Sequence, residues 1–112
     1  YLNNNGNHKR DFTYIKDVNK ILEKIRFAKL AKNNKVFNVC AGKSINLKLL
    51  LKEIKHYYPN IKIKNTKRDN SDVLNTFGSN KKIVSILKLK KFISYKVGIK
   101  NTIEWYKKSK TF

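Results

Sequence analysis

The sequence predicts a single partial domain over residues 1–112, of the α/β or α+β class, with short strands and three to four helices. Its 112 residues suffice for one hydrophobic core but not for two. A hydrophobic content of 40% and an aromatic content of 12% are typical of a chain that folds. Apolar residues recur at helical spacing in long segments, whereas the strand-like runs are short and few. Because so few short strands rarely form an independent sheet, we interpret the chain as part of a domain.

Two helices are predicted in the first half of the chain. The first is capped by Asp17, ends near residues 32–34 and places apolar residues at i, i+3, i+4 and i+7; these are Val18, Ile21, Leu22, Ile25 and Ala28. The second is capped by Asn46 and is closed by Pro59, which disfavours helical geometry in the residue before it. Its apolar face comprises Leu47, Leu50, Leu51 and Ile54.

Two strands and two further helices are predicted in the rest of the chain. The run KVFNVC at residues 35–40 predicts a short buried strand, and the alternation over residues 61–64 predicts a half-buried one. Ser79 is expected to cap a short third helix, and Ser94 is expected to cap a fourth that runs to the C-terminal region. In the fourth helix, Trp105 and Tyr106 are predicted to belong to the core.

The net charge of +20 calls for an anionic partner or a solvated surface. Of the 27 basic residues, three are arginines, so 27 − 3 = 24 are lysines, and they are spread evenly along the sequence. The planar guanidinium of arginine has paired donors that bind phosphate and base edges. Because arginine is scarce here, the composition favours a surface of solvated lysines. A small basic nucleic-acid-binding module is the alternative, although we consider nucleic acid an unlikely partner on this composition.

The sequence also bears on location. Cys40 is the only cysteine, which excludes an internal disulfide and is typical of a reducing compartment. We interpret it as a small buried hydrophobic residue rather than a nucleophile. No apolar run approaches the length of a membrane span, and no signal peptide is evident. We therefore expect a cytoplasmic protein. Since the first residue is Tyr1 and methionine is absent, we also expect the chain to be part of something longer.

Four motifs in series resemble a known family. In order they are RDFTYIKDV from Arg10, VFNVCAGKSINLKLLLKEI from Val36, SDVLNT from Ser71 followed by Asn80-Lys81, and YKVGIKNTIEWYKK from Tyr95. Together they resemble the C-terminal portion of the extended short-chain dehydrogenases that act on nucleotide sugars. The likeness is greatest to the UDP-glucuronate and UDP-glucose 4-epimerases.

The resemblance implies that an N-terminal Rossmann domain is missing from this chain. In the family that domain holds NAD on a Gly-rich turn and carries a catalytic Tyr-x-x-x-Lys pair. The chain has no such turn. Its two Tyr-x-x-x-Lys spacings, Tyr58 with Lys62 and Tyr106 with Lys110, we interpret as accidental, the first being interrupted by Pro59. We expect no catalytic, cofactor-binding or metal-ligating residue on the chain itself, and whether it is an enzyme stays open.

The segment present would hold the nucleotide end of a UDP-sugar. The resemblance places Arg10 near the pyrophosphate, where a guanidinium makes charge-assisted hydrogen bonds; the alternative is a surface arginine paired with Asp11 or Asp17. The resemblance also implies that Asp72 accepts hydrogen bonds from the ribose hydroxyls and that Arg68 is a second phosphate ligand. Arg68 stands four residues before Asp72, where the family has three, so a plain polar loop remains the alternative. Asp11 and Tyr14 are expected to brace the fold.

The expected function is therefore that of the substrate-binding segment of an NAD-dependent nucleotide-sugar epimerase or dehydratase, inactive alone. The intact enzyme would bind NAD, oxidise the sugar at C4 to a keto intermediate and reduce it again. Its partners would be the UDP-sugar and a Rossmann domain, in the same chain or in another, and the intact enzyme could be a homodimer. Cys40, Asp69 and Ser71 depart from the family pattern. A degenerate gene product without activity is thus a further alternative.

Overall fold

A computed structural model of the protein describes residues 1–28 and 36–109. In this part of the chain four helices accompany four strands of two or three residues, as the sequence predicted in outline. The strands are β1 (Leu2–Asn3), β2 (Lys9–Asp11), β3 (Ser44–Asn46) and β4 (Asn65–Thr66). The helices are α1 (Ile15–Phe27), α2 (Leu47–Tyr57), α3 (Lys81–Leu87) and α4 (Tyr95–Ser109). A single 3₁₀ turn, Asn4–Gly6, follows β1.

The strands pair in two small sheets. β1 runs parallel to β4, with Leu2 opposite Asn65, and β2 runs antiparallel to β3, with Arg10 opposite Ile45. The free edge of β2 is also occupied, because the Lys9 N–H donates to the Leu74 carbonyl at 2.9 Å and the Thr76 N–H donates to the Lys9 carbonyl at 3.1 Å. Residues 74–76 therefore lie alongside β2, and residue 72 is brought to its neighbourhood.

Three of the predicted helix boundaries agree closely with the structure. The Asn46 side chain accepts a hydrogen bond from the Lys48 N–H at 2.8 Å, which is the predicted N-cap of α2. The helix ends at Tyr57, and Tyr58 leaves helical geometry before Pro59. At α4 the Ser94 hydroxyl accepts from the Val97 N–H at 3.4 Å, in the position of the predicted cap.

The predicted start of α1 is wrong. The helix begins at Ile15, with Tyr14 at the N-cap, and it ends at Phe27 because Ala28 is extended, earlier than expected. The carboxylate of Asp17 does not cap the helix. Its Oδ2 accepts a hydrogen bond from the Ile93 N–H at 2.8 Å, across a sequence separation of 76 residues. This tertiary bond places a buried carboxylate where local sequence rules place a cap.

The third helix also starts at a different residue from the one predicted. It begins at Lys81, and Asn80 occupies the N-cap position in place of Ser79. The Asn80 side chain makes no capping bond, and its Nδ2 donates to the Cys40 carbonyl at 2.9 Å. The helix is thus tied to the 40–42 turn at its first residue.

Two predicted strands do not form. Residues 36–40 of the KVFNVC run have no ladder partner among the described residues, and residue 35 lies outside them. Residues 61–64 also lack a ladder, and the pairing with β1 occurs one step later, at Asn65–Thr66. Alternation of apolar residues indicates that one face of the segment is buried. A hydrogen-bonded ladder additionally requires a neighbouring strand in register.

The core is small. Its buried cluster consists of Ile21 from α1 with Ile83 and Leu87 from α3, and Phe37 and Val39 pack against it. The predicted placement of Trp105 and Tyr106 in the core is wrong, since Trp105 is 65% exposed and Tyr106 is 46% exposed. No helix in the described part of the chain is long and apolar enough to span a membrane.

The bond between Asp17 and Ile93 generates a stability prediction. Asp17→Ala leaves the Ile93 N–H without its acceptor in a buried position, and we expect a loss of about 1–3 kcal/mol in the free energy of unfolding. Asp17→Asn retains an acceptor oxygen and should lose less. The measurement is urea unfolding followed by circular dichroism. Glu23→Ala, at an exposed carboxylate on the same helix, is the control and should change stability by less than about 0.5 kcal/mol. Equal losses for Asp17→Ala and Glu23→Ala would contradict the assigned role.

Candidate functional site

Arg10 is positioned by a strand that is hydrogen-bonded on both edges. β3 pairs with one edge of β2, and residues 74–76 occupy the other. The guanidinium then folds back over the second edge, where Nη1 donates to the carbonyls of Lys9 at 3.0 Å and Leu74 at 3.2 Å. Two backbone carbonyls from separate segments thus fix the plane of the guanidinium before any ligand is considered.

The structure brings two of the three predicted substrate residues together. Arg10 Nη2 donates to Asp72 Oδ1 at 2.7 Å, an ion pair between residues that are 62 positions apart. Both side chains are partly exposed, at 27% for Arg10 and 33% for Asp72. The sequence alternatives for the arginine, a pairing with Asp11 or Asp17, are therefore wrong. A charged pair that is held on one side and open on the other can still engage a ligand.

Two further side chains surround the Asp72 carboxylate. Asn3 Nδ2 donates to Oδ2 at 3.0 Å, and His8 Nδ1 lies 3.5 Å from the same oxygen. His8 is almost completely buried, and neither its Nε2 nor Asn3 Oδ1 has a hydrogen-bond partner among the described residues. Asp72 thus joins β1, β2 and the loop that precedes residue 74, and its orientation is set from three directions.

Sequence reasoning missed Asn3 and His8. Asn3 belongs to an asparagine-rich turn that gives no sign of a long-range contact. His8 did offer a signal, because it stands two residues before Arg10 and the side chains of an extended segment at i and i+2 share a face. Applied to β2 and the residue before it, that alternation would have grouped His8 with Arg10.

Arg68 is not brought to the pair by any contact in the described part of the chain. It is exposed and lies on a polar loop in which Asp69 forms a local turn. Asp69 Oδ1 accepts hydrogen bonds from the Ser71 hydroxyl at 2.6 Å and from the Ser71 N–H at 2.9 Å. These bonds, the hydroxyl first, hold the pKa of the Asp69 carboxyl below its usual value. The departures at Asp69 and Ser71 therefore stabilise each other as one turn.

Asp11 braces a second turn, as expected. Its Oδ1 accepts from the Ala41 N–H at 3.1 Å and its Oδ2 accepts from the Gly42 N–H at 2.9 Å. Gly42 has a φ of 73°, and an added Cβ would lie 2.9 Å from the Asn80 amide. Glycine is required here by both backbone conformation and space. Tyr14 has the expected structural role as well, because its ring closes over the buried Gly98 of α4.

Cys40 lies beside this turn and is not strained. It is absent from the described non-glycine residues with positive φ, which are Asn4, Asn5 and Lys88, so a side chain is tolerated at this position. Burial, and next the negative charge of Asp11, raise the pKa of the Cys40 thiol above its usual value. A thiol that resists ionisation is a poor nucleophile, which agrees with the expectation for this residue, but the side chain is only partly buried and not buried as predicted.

The first of the two Tyr-x-x-x-Lys spacings has no common helical face in the described structure. Tyr58 is a non-helical residue that follows α2, and Lys62 lies beyond Pro59 in a segment without helix. Tyr106 belongs to α4, whereas Lys110 lies outside the described residues. Among the described residues, no three His, Cys, Asp or Glu side chains are placed to hold a metal ion.

Solved structures with this fold are known enzymes. A UDP-glucose 4-epimerase from Thermotoga maritima, in a structure with UDP-glucose, matches with a TM-score of 0.82 at 22% identity, over 96% of this chain and 34% of that chain. The Bordetella bronchiseptica enzyme WbmF, in complex with NADH, matches with a TM-score of 0.78 at 26% identity, over 99% of this chain and 33% of that chain. An NAD-dependent NDP-hexosamine 5,6-dehydratase involved in tunicamycin biosynthesis matches with a TM-score of 0.82 at 20% identity. The match covers 96% of this chain and 35% of that chain.

These likenesses confirm the predicted fold class. The chain has the fold of the C-terminal portion of short-chain dehydrogenase structures, and it spans about a third of the length of the solved structures it matches. No protein-family model matches the sequence, and no curated protein matches it significantly.

The environment of Cys40 generates a reactivity prediction. Because the thiol pKa is raised, the thiolate fraction at pH 8 is below that of an ordinary cysteine, and alkylation by iodoacetamide should be slower in the folded chain than in the same chain unfolded in urea. Asp11→Asn removes the second cause of the shift and should accelerate the reaction of the folded chain. Mass spectrometry at timed intervals gives the rates. Equal rates in the folded and unfolded chain would show that Cys40 is an ordinary exposed thiol.

Proposed function

We propose that this chain is the substrate-binding segment of an NAD-dependent nucleotide-sugar epimerase or dehydratase, with a UDP-sugar as the ligand. The observation that carries the proposal is the Arg10–Asp72 pair, held at 2.7 Å within a fold whose solved counterparts include enzymes in complex with UDP-glucose and with NADH. We further propose that UDP-sugar 4-epimerisation is the activity of the intact enzyme.

Arg10 serves as the phosphate ligand in this proposal. Its Nη1 is committed to two carbonyls and Nη2 donates to Asp72, whereas Nε has no hydrogen-bond partner among the described residues. The guanidinium is therefore anchored at one end and can donate from the other. An anchored donor loses little conformational freedom when it binds a diphosphate, and each charge-assisted bond contributes about 1.5–3 kcal/mol.

Asp72 serves as the acceptor for ribose hydroxyls. Its two oxygens accept one hydrogen bond each, from Arg10 and Asn3, and a carboxylate offers about four lone-pair sites. A hydroxyl donor can therefore be added without displacing either partner. Arg68 supplies a second phosphate contact in the proposal, since it is exposed on the loop leading to Asp72 and its guanidinium makes no hydrogen bond within the described residues.

The described residues do not fit an NAD site. None of the four helices is preceded by a Gly-rich turn, which is the usual cradle for a dinucleotide pyrophosphate. We therefore assign NAD binding and proton transfer to a Rossmann domain outside these residues, supplied in the same chain or by another. In the intact enzyme NAD supplies the hydride chemistry, and the role of this chain is to bind and orient the nucleotide.

Exposed apolar side chains beside the site support such a neighbour. Val73 is 60% exposed and Phe77 is 73% exposed, and both belong to the segment that carries Asp72 along β2. A covering module would remove both side chains from water, which is favourable. The proposal is therefore that the nucleotide lies between this chain and the NAD-binding domain.

The first test is genetic. DNA immediately upstream of the Tyr1 codon is expected to encode, in frame or as a separate product, a Rossmann domain with a Gly-rich turn and a Tyr-x-x-x-Lys pair. Long-read sequencing of the locus gives the answer. Unrelated sequence upstream, with no complementary domain encoded elsewhere in the genome, would contradict the enzyme assignment.

The second test concerns Arg10. In the chain joined to its NAD-binding domain, Arg10→Ala should weaken UDP binding about 10- to 150-fold, the equivalent of one charge-assisted bond. Arg10→Lys keeps the positive charge but loses the planar guanidinium with its paired donors. Its affinity for UDP should therefore lie between that of the parent and that of Arg10→Ala. Isothermal titration with UDP measures the affinity, and thermal unfolding shows that each variant is folded. Arg26→Ala, at an exposed arginine stacked on Phe27, is the matched control and should bind as the parent does. An unchanged Kd in Arg10→Ala would exclude Arg10 as a ligand.

A further inference from the structure

The fold gathers five lysines around one groove, although lysines are evenly spaced in the sequence. The groove has a volume of about 460 Å³ and lies between α1 and the segment that follows α3. We call it the lysine groove; its rim consists of Lys20, Lys24, Lys88, Lys90 and Lys91. The first two are one helical turn apart on α1, and the other three lie within four consecutive positions of the chain.

The lysine groove has almost no internal counter-charge. None of its five ammonium groups has an ion pair or hydrogen bond with a described residue. The one carboxylate in its lining, Asp17, is buried and already accepts the Ile93 N–H. Glu23 does not line the groove but lies in an adjacent hollow that Lys24 and Lys88 also line. The groove therefore carries a strong positive potential.

The turn after α3 brings three of these lysines together. Lys88 adopts a left-handed conformation with a φ of 48°, its N–H donates to the Ser85 carbonyl, and the Leu89 N–H donates to the Val84 carbonyl at 3.0 Å. This is a Schellman turn in which lysine occupies the position where glycine is usual. The chain thus reverses immediately after α3 and runs beside α1, with a cationic side chain at the reversal.

The lining of the lysine groove also contains the apolar residues Ile21, Leu89 and Phe92. Phe92 is partly exposed and also packs against the buried cluster of the core. Cationic side chains and a partly exposed aromatic ring in one groove suit a single nucleic-acid strand, whose phosphates bind the ammonium groups while a base stacks on the exposed part of the ring. A duplex offers phosphates but no free base face.

We propose that the lysine groove binds single-stranded nucleic acid. The proposal is independent of the UDP-sugar assignment, because that site uses β1, β2 and residues 72–74, whereas the groove uses α1 and residues 88–92. It runs against the composition argument, which favoured a solvated lysine coat. The fold, by placing five unpaired lysines along one groove, supplies the local concentration of charge that the sequence spacing did not indicate.

The test is fluorescence anisotropy with a labelled twelve-nucleotide oligothymidylate, titrated with the full 112-residue chain at several NaCl concentrations. If each rim lysine neutralises one phosphate, the logarithm of the association constant falls with the logarithm of salt at a slope of about −3.5. Affinity then drops about a hundredfold between about 50 and 200 mM NaCl. Phe92→Leu should weaken binding several-fold and leave this slope unchanged. A duplex of the same length should bind more weakly than the single strand.

A matched pair of variants separates the lysine groove from net charge. One carries glutamine at the five rim positions. The other carries glutamine at five exposed lysines elsewhere in the described chain, namely Lys43, Lys52, Lys55, Lys62 and Lys67. Both have the same formal charge. We expect the rim variant to lose at least tenfold in affinity together with most of the salt slope, and the control variant to lose less than threefold. Thermal unfolding checks that both are folded.

Three outcomes would overturn the proposal. Equal losses in the two five-fold variants would assign binding to net charge alone. Absence of salt-dependent binding to the oligonucleotide would leave the groove as a solvated surface. Binding of the chain to vesicles containing phosphatidylserine, with loss in the rim variant and without oligonucleotide binding, would assign the groove to a membrane surface instead.

Discussion

The hydrogen bonding of β2 on both edges is the constraint from which the rest of the described structure follows. Lys9 pairs with Asn46 on one side and bridges to Asn75 on the other. With its backbone held in this way, Arg10 is directed to Asp72, and Asp11 is directed to the N–H groups of Ala41 and Gly42. Three consecutive residues thus organise the Arg10–Asp72 pair, the 40–42 turn and, through Asn80, the start of α3.

The same strand explains why a small core suffices for the site. The buried cluster of Ile21, Ile83 and Leu87 joins α1 to α3, but neither Arg10 nor Asp72 depends on it for a contact. Their positions are set by backbone pairing and by charge-assisted bonds between segments that are distant in sequence. Polar networks of this kind fix geometry without requiring deep burial, and they leave one side of the ion pair open.

The sequence predicts local features of this fold well and long-range ones poorly. The caps at Asn46 and Ser94 and the break at Pro59 depend only on neighbouring residues, and the structure has all three. Arg10 and Asp72 were expected near one ligand, and the structure brings them into contact. Asp17 was misassigned because its partner, the Ile93 N–H, lies 76 residues away. No local pattern identifies such a partner.

The misplacement of Trp105 and the omission of Asn3 have the same origin. An apolar residue on a helix is expected to be buried, yet the surface that covers it is set by tertiary packing, and 65% of Trp105 is exposed in this structure. Asn3 is one of four asparagines in a turn, and only the parallel pairing of β1 with β4 places it against Asp72. The five lysines of the groove are likewise gathered only by the packing of α1 beside residues 88–92.

The most direct test of the proposed nucleotide site is a titration of the isotopically labelled 112-residue chain with UDP, followed by nuclear magnetic resonance. Half of a pocket binds weakly, so millimolar UDP is required. The account predicts shifts concentrated at the Arg10 side-chain Nε–H and at the backbone amides of residues 72–74. Shifts confined to α1 and residues 88–92, or no shift at Arg10 at saturating UDP, would contradict it.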